Sequence, residues 1–452
     1  MRCFLLLLLL LPCAAHAAET GVPARLAVWG SQTPAEQSAA AYAQQELTSH
    51  PLHSNIPDYT LSPAALAKSQ ELGRMRLVLH FGEQAWTIAI LFLLLELGIA
   101  ARLRAAALRL SKRRWSQGIA FLFFFLMVTT LLQFPLDLYA QHMQRANGLS
   151  VQSWPSWTAD QAKMFALTWL IGAPLVLLLF AIIRRFPARW WLVSWALCIP
   201  LVLAGVFAVP YLSPLFDRFE PLTLHHADLV AQLEQVVARG HMNIPPDRMF
   251  LMKASDKVTT MNAYVTGFGA SKRVVVWDTS LTHGTPDEVL FIFGHESGHY
   301  VLGHIAQGIA LSIVTLFFAG YIAYRVLRWT LHRCGARWRI GSQNDYAALA
   351  ILLLIFAVMT TAFEPIQSAV SRHDEHAADI YGQEAIHGLV ENPQATAQAA
   401  FDVLGRSSFS DPNPNRFYEF WAFDHPSIPR RAAFAHAYNP WQPGLQPKYL
   451  KR

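Results

Sequence analysis

Six apolar stretches, at residues 85–101, 118–139, 162–183, 190–212, 305–327 and 346–370, constrain this 452-residue chain more than any other feature. Each is near the roughly 20 residues a helix needs to cross a bilayer's hydrocarbon core. In that medium backbone N–H and C=O groups must be satisfied within the segment, so the expected fold is a mostly α-helical membrane protein. Composition agrees: 53% of residues are hydrophobic and 15% charged, and mean hydropathy is +0.26. Disordered, collagen-like and coiled-coil chains are excluded. An apolar run of eight residues, 4–11, follows Arg2 and precedes Ala15 and Ala17. It is short for a span and has the form of a signal peptide cleaved after Ala17, the alternative being an uncleaved first transmembrane helix. The expected organisation is a leader at 1–17, a membrane domain with four spans at 18–212, and a second domain at 213–452 that holds the last two spans.

The net charge of +6 could point to nucleic acid, but its distribution serves topology instead. The first connection carries Arg102, Arg104, Arg109, Lys112, Arg113 and Arg114; the third carries Arg184, Arg185 and Arg189; the fifth carries Arg325, Arg328, Arg333, Arg337 and Arg339. The second has only Arg145 against Asp160. The positive-inside rule puts connections one, three and five in the cytoplasm. The long fourth connection and the segment after Val370 then lie outside, and a cleaved leader places residues 18–84 there too. Cys3, Cys13, Cys198 and Cys334 are too scattered for a disulfide framework or a cysteine-built metal site. Glu96, inside the first expected span, reads either as a carboxylate lining a water-filled cavity or as a contact between helices.

Residues 286–305 read PDEVLFIFGHESGHYVLGHI, a helical pattern that starts on Asp287 and Glu288. Within it His295, Glu296 and His299 form H-E-x-x-H. Two histidines four apart share one helix face, where they can hold one zinc ion while the glutamate points at its bound water. Gly298 weakens the helix, so another backbone is expected to approach closely there. A catalytic zinc normally takes three protein ligands and keeps one open position. The third must come from elsewhere, and the stretch 371–379, SRHDEHAAD, offers His373, Asp374, Glu375 and His376. Composition does not choose among them. On a helix Glu375 and Asp379 share a face, so one can bind metal while the other accepts the free N–H of a ligating histidine.

These residues resemble the type I CAAX prenyl proteases, membrane zinc endopeptidases. HESGHYVLGH is similar to that family's HExGH pattern with its trailing His, here His304, and SRHDEHAAD to its SRxxExxAD signature. The segment 424–431, DHPSIPRR, resembles HPPxxxR, with Ser427 where the second proline usually stands. Segments 134–154, 211–222 and 261–281 also resemble family stretches in the same order. The resemblance implies one zinc held by His295, His299 and Glu375, with Asp379 supporting it, Glu296 as the catalytic base, and His425 and Arg431 assisting at the reacting carbonyl. It implies a bundle of six to seven transmembrane helices around a chamber, with a gluzincin-like zinc domain carrying a small β-hairpin or sheet. Eukaryotic relatives place the zinc side in the cytosol, where prenylated proteins arise; the basic loops here place it outside, facing the periplasm of a bacterial inner membrane.

The alternation at Asn262, Ala263, Tyr264 and Val265, with 273–277 as its partner and Gly267 and Gly269 at the turn, predicts an edge strand beside the zinc helix. Such an edge can hold an extended peptide. The expected function is an endopeptidase acting on membrane-associated or exported proteins, with the lipid bilayer as its environment and no nucleic-acid partner. Two competing readings are a transporter or channel with an incidental H-E-x-x-H, favoured by six spans and Glu96, and an inactive zinc-bound scaffold. The first is disfavoured by the absence of an internal repeat, the second by the presence of all four of His295, Glu296, His299 and Glu375.

Overall fold

The computed structural model describes residues 59–267 and 271–450. The expected leader at 1–17 and Gly269 fall outside the described residues. Helix α1 (Pro63–Glu96) starts where the Ser62 side chain accepts from the Ala65 N–H and Pro63 pre-sets the first turn. It ends at Gly98, whose φ of 65° turns the chain into α2 (Ile99–Leu110). Then come α3 (Arg114–Ala146), α4 (Trp154–Arg185) and α5 (Trp190–Leu212). Arg184 and Arg185 close α4, where cations favour the negative end of the helix dipole.

The chain next leaves the bundle for a small sheet. Strand β1 (Phe219–Pro221), α6 (Ala227–Arg239), β2 (Met249–Met252), β3 (Ala263–Thr266) and β4 (Arg273–Trp277) follow in order. The four strands lie β1-β2-β4-β3, with β2 and β4 parallel and the other two pairs antiparallel. After the short α7 (Asp278–His283) comes α8 (Pro286–Val301). It opens on a capping box, in which Thr285 and Glu288 satisfy each other's backbone N–H. Two long apolar helices, α9 (His304–Trp338) and α10 (Ala348–Ile386), return through the bundle. Helices α11 (Pro393–Ser407), α12 (Arg416–Ala422) and α13 (Ile428–Ala437) complete the fold.

Six of these helices, α1, α3, α4, α5, α9 and α10, are long and apolar enough to cross a membrane. One core, built on Phe121, Phe125, Phe180 and Ile351, lies within the bundle. A second, built on Val274, Val276, Phe291, Phe293 and Phe401, joins the sheet to α8, α10 and α11. The three basic connections meet at one end of the bundle. Arg104 pairs with Asp345, the Arg114 guanidinium donates to the Asn344 carbonyl, and the Gln343 amide donates to the Pro187 carbonyl. Glu96 belongs to this end. It pairs with Arg337 and accepts from the Trp338 indole at 3.2 Å, so it is a contact between helix ends. The H-E-x-x-H motif and the stretch 371–379 sit at the opposite ends of α9 and α10.

Candidate metal centre

Helices α8 and α10 can approach closely because small residues face each other. A Cβ on Gly298 would stand 3.2 Å from Ala378 Cα, and one on Gly382 only 2.7 Å from the His295 nitrogen. That is the close backbone approach expected at Gly298. The contact brings one turn of each helix together, and three side chains converge. His295 Nε2 lies 3.2 Å from His299 Nε2, Glu375 Oε2 lies 3.1 Å from His295 Nε2, and Glu375 Oε1 lies 3.4 Å from His299 Nε2. All three residues are buried. Among the described residues, this is the one such convergence of potential ligands.

Glu375 Oε2 is buried without a well-aligned hydrogen bond, although ring nitrogens of His295 and His425 lie 3.1 Å away. Buried carboxylate oxygens without donors are costly. Two imidazole nitrogens that face each other at 3.2 Å cannot both carry protons. Both facts suit a cation at the point of convergence, and two nitrogens with one carboxylate form a donor set that zinc accepts. The open question at 371–379 has a geometric reply: Glu375 points inward, whereas His373 and His376 are exposed and His376 packs edge-on against Phe434.

Around these three sits a further layer. Asp379 Oδ1 lies 2.8 Å from His295 Nδ1. Arg431 donates to Asp379 through Nε at 2.9 Å and through Nη2, while its guanidinium stacks over Phe401. Arg431, expected at the reacting carbonyl, is thus committed to Asp379, 3.6 Å behind Glu375 Oε2. His425 is partly exposed; its Nε2 lies 3.1 Å from Glu375 Oε2, and its Nδ1 meets Asp424 at 2.7 Å. Asp424 is adjacent to His425 in sequence, and no motif spacing marks it as a partner. Glu296 alone between His295 and His299 is not fully buried.

The electrostatics follow from this crowding. Burial disfavours the His295 imidazolium, but Asp379 and Glu375 outweigh it and raise its pKa to about 9. Burial opposes charge on His425 too, and Glu375 and Asp424 lift it to about 10. Burial pushes the Glu296 carboxyl up, against the pull of the two motif histidines. Strand β3 is one of the two edges of the sheet and packs on α8, with Ala263 buried and Tyr264 half-buried. Asn262 precedes it, its N–H donating to the Ser280 hydroxyl.

Residues 223–439 match "Peptidase family M48", and residues 46–218 match "CAAX prenyl protease N-terminal, five membrane helices". A Bacillus subtilis protein named "Uncharacterized metalloprotease YhfN" is 31% identical over 84% of this chain and 87% of its own length. CAAX prenyl protease 1 of Saccharomyces cerevisiae is 26% identical over 70% of this chain and 71% of its own. The crystal structure of S. mikatae Ste24p shares the fold, with a TM-score of 0.72 over 90% of this chain and 99% of that one, at 19% identity.

Proposed function

The chain belongs to peptidase family M48 and is an integral-membrane metalloprotease, and on that premise we propose a zinc endopeptidase that cleaves membrane-associated or exported proteins on the non-cytoplasmic side. The transporter reading falls with the family assignment. The observation that carries the proposal is the convergence of His295, His299 and Glu375 on one point, with a buried Glu375 oxygen that makes no well-aligned hydrogen bond.

Bound between those three side chains, zinc would acidify a water molecule and polarise the scissile carbonyl. Glu296 takes the proton of the attacking water and returns it to the leaving amine; its raised proton affinity suits both steps. His425, oriented by Asp424 at 2.7 Å, donates to the oxygen on which negative charge develops. Arg431 acts through Asp379, which fixes the His295 ring. The β3 edge, with Asn262, Ala263 and Tyr264, holds the substrate backbone extended.

The orientation rests on charge. The short basic loops gather at one end of the bundle, and the positive-inside rule assigns that end to the cytoplasm. Helix α9 has 35 residues between the basic end and His304, a rise of about 50 Å. The metal centre then faces the periplasm of a bacterial inner membrane, away from cytosolic prenylated tails. Two measurements test the proposal: zinc content of the detergent-purified protein, and cleavage of an unstructured peptide. Zinc near one ion per chain with cleavage that chelation abolishes is expected; cleavage that survives chelation contradicts it.

A further inference from the structure

Among the described residues, His304 is a buried polar group that touches the centre directly and has no role above. Helix α8 stops at Val301, and Gly303, at φ 76°, reverses the backbone so that His304 opens α9. A left-handed φ is strained for residues with a Cβ, so the glycine allows this tight return. The turn lays the His304 ring against His299, five residues earlier, with centroids 5.1 Å apart and planes at 74°. Their Nδ1 atoms are 3.1 Å apart, and His304 is 4% exposed.

Two ring nitrogens this close share one proton: one donates and the other accepts. His299 Nε2 faces His295 Nε2 and Glu375, where a ligating nitrogen needs its lone pair free. The proton of a neutral His299 is therefore on Nδ1, and His304 Nδ1 accepts it. His304 then carries its own proton on Nε2, the nitrogen 3.9 Å from Asp374 Oδ1. We propose that His304 is a positioning residue for the metal centre: it fixes the tautomer and ring plane of His299 as Asp379 does for His295. The two ligands thus differ in support. His295 leans on a carboxylate clamped by Arg431, whereas His299 leans on a neutral ring. The pairing holds both rings without a further negative charge beside Glu375 and Asp379.

This inference rests on the zinc reading, and its test separates the two. The nearly isosteric variants H304N and H304L differ in whether an acceptor stands where Nδ1 was. Zinc affinity is read by competition with a chromophoric chelator on the full-length protein in detergent. The cobalt(II) visible spectrum and the thermal midpoint after chelation are recorded alongside. Loss of an outer partner of a metal ligand typically weakens metal binding about 10–100-fold. H304L is expected to fall in that range with an altered cobalt spectrum, while H304N stays within about threefold of wild type and both keep the metal-free midpoint. If H304L misfolds, H304F carries the same expectation. Wild-type affinity in the variant lacking an acceptor, or equal weakening in H304N, overturns the role of His304. Absence of stoichiometric zinc binding in wild type overturns the zinc reading first, and the inference with it.

Discussion

Helices α8 and α9 are neighbours in the chain and both apolar, yet they bury opposite things. Helix α9 presents Leu311, Val314, Phe318 and Ile322 at helical spacing on one face, exposed by 41%, 53%, 59% and 37%. Helix α8 buries 11 of its 16 residues, and three of these are His295, His299 and Glu288. The contrast lies in the surrounding medium. A stripe of exposed leucine and phenylalanine is stable where lipid replaces water, and α9 is long enough to use that medium. Helix α8 is too short to span. It is covered by α10, α11 and the sheet, and every polar side chain in it needs a protein partner or an ion. The proposed metal centre sits in the second kind of environment because there a carboxylate and imidazoles can be held close without bulk water.

The largest effect that sharpens this comparison is expected from Glu375→Ala. It removes the proposed ligand from α10, so metal content and peptide cleavage should both fall to background; retention of either overturns the assignment. Next comes Gly382→Ala. Its Cβ would meet the His295 backbone nitrogen at 2.7 Å, so the two helices must separate. Overpacking of this kind costs about 1–3 kcal/mol, which should appear as a lower thermal midpoint together with weaker zinc binding. An unchanged midpoint would mean that α8 and α10 are not closely packed.

A smaller effect, dependent on pH, is expected from Glu288, which is 1% exposed at the start of α8. Burial pushes its pKa from 4.5 up to about 7. The folded state therefore holds this proton more tightly than the unfolded chain. Its contribution to stability is greatest below pH 4.5 and is lost as pH rises through about 7. Glu288→Gln should flatten the thermal midpoint across that window, with a difference of at most about 3 kcal/mol at its upper end. A slope that persists in the variant would assign the titration to another group. The smallest effect belongs to the lipid face: Phe318→Ala should change stability in detergent by no more than about 0.5 kcal/mol. A larger loss would mean that this face packs on protein.

Much of this arrangement can be read from the residues. The fourth expected span, 190–212, coincides with α5, and the predicted partner strand at 273–277 is β4 itself. The pattern reading shortened α1, because Glu71, Arg74 and Arg76 in its first half hide a helix that continues beyond the apolar window. It also ended α10 at Val370, whereas one unbroken helix carries both the span and Glu375, and that continuity fixes the third side chain against α8. Strands β1 and β2, of three and four residues, are too short to show an alternating period. The candidate ligands at 371–379 could not be separated by composition, since the choice depends on which helix face meets α8. The commitment of Arg431 to Asp379 is a contact across 52 positions that no local spacing encodes.

Glu296→Gln gives the most direct test of the central claim, that Glu296 moves the proton at a zinc held by His295, His299 and Glu375. Zinc content and peptide cleavage are measured on the same detergent-purified preparation. Zinc content should match wild type while cleavage falls by about 10²–10⁴-fold, the usual worth of a positioned acid–base group. Cleavage at the wild-type rate with zinc still bound would contradict it.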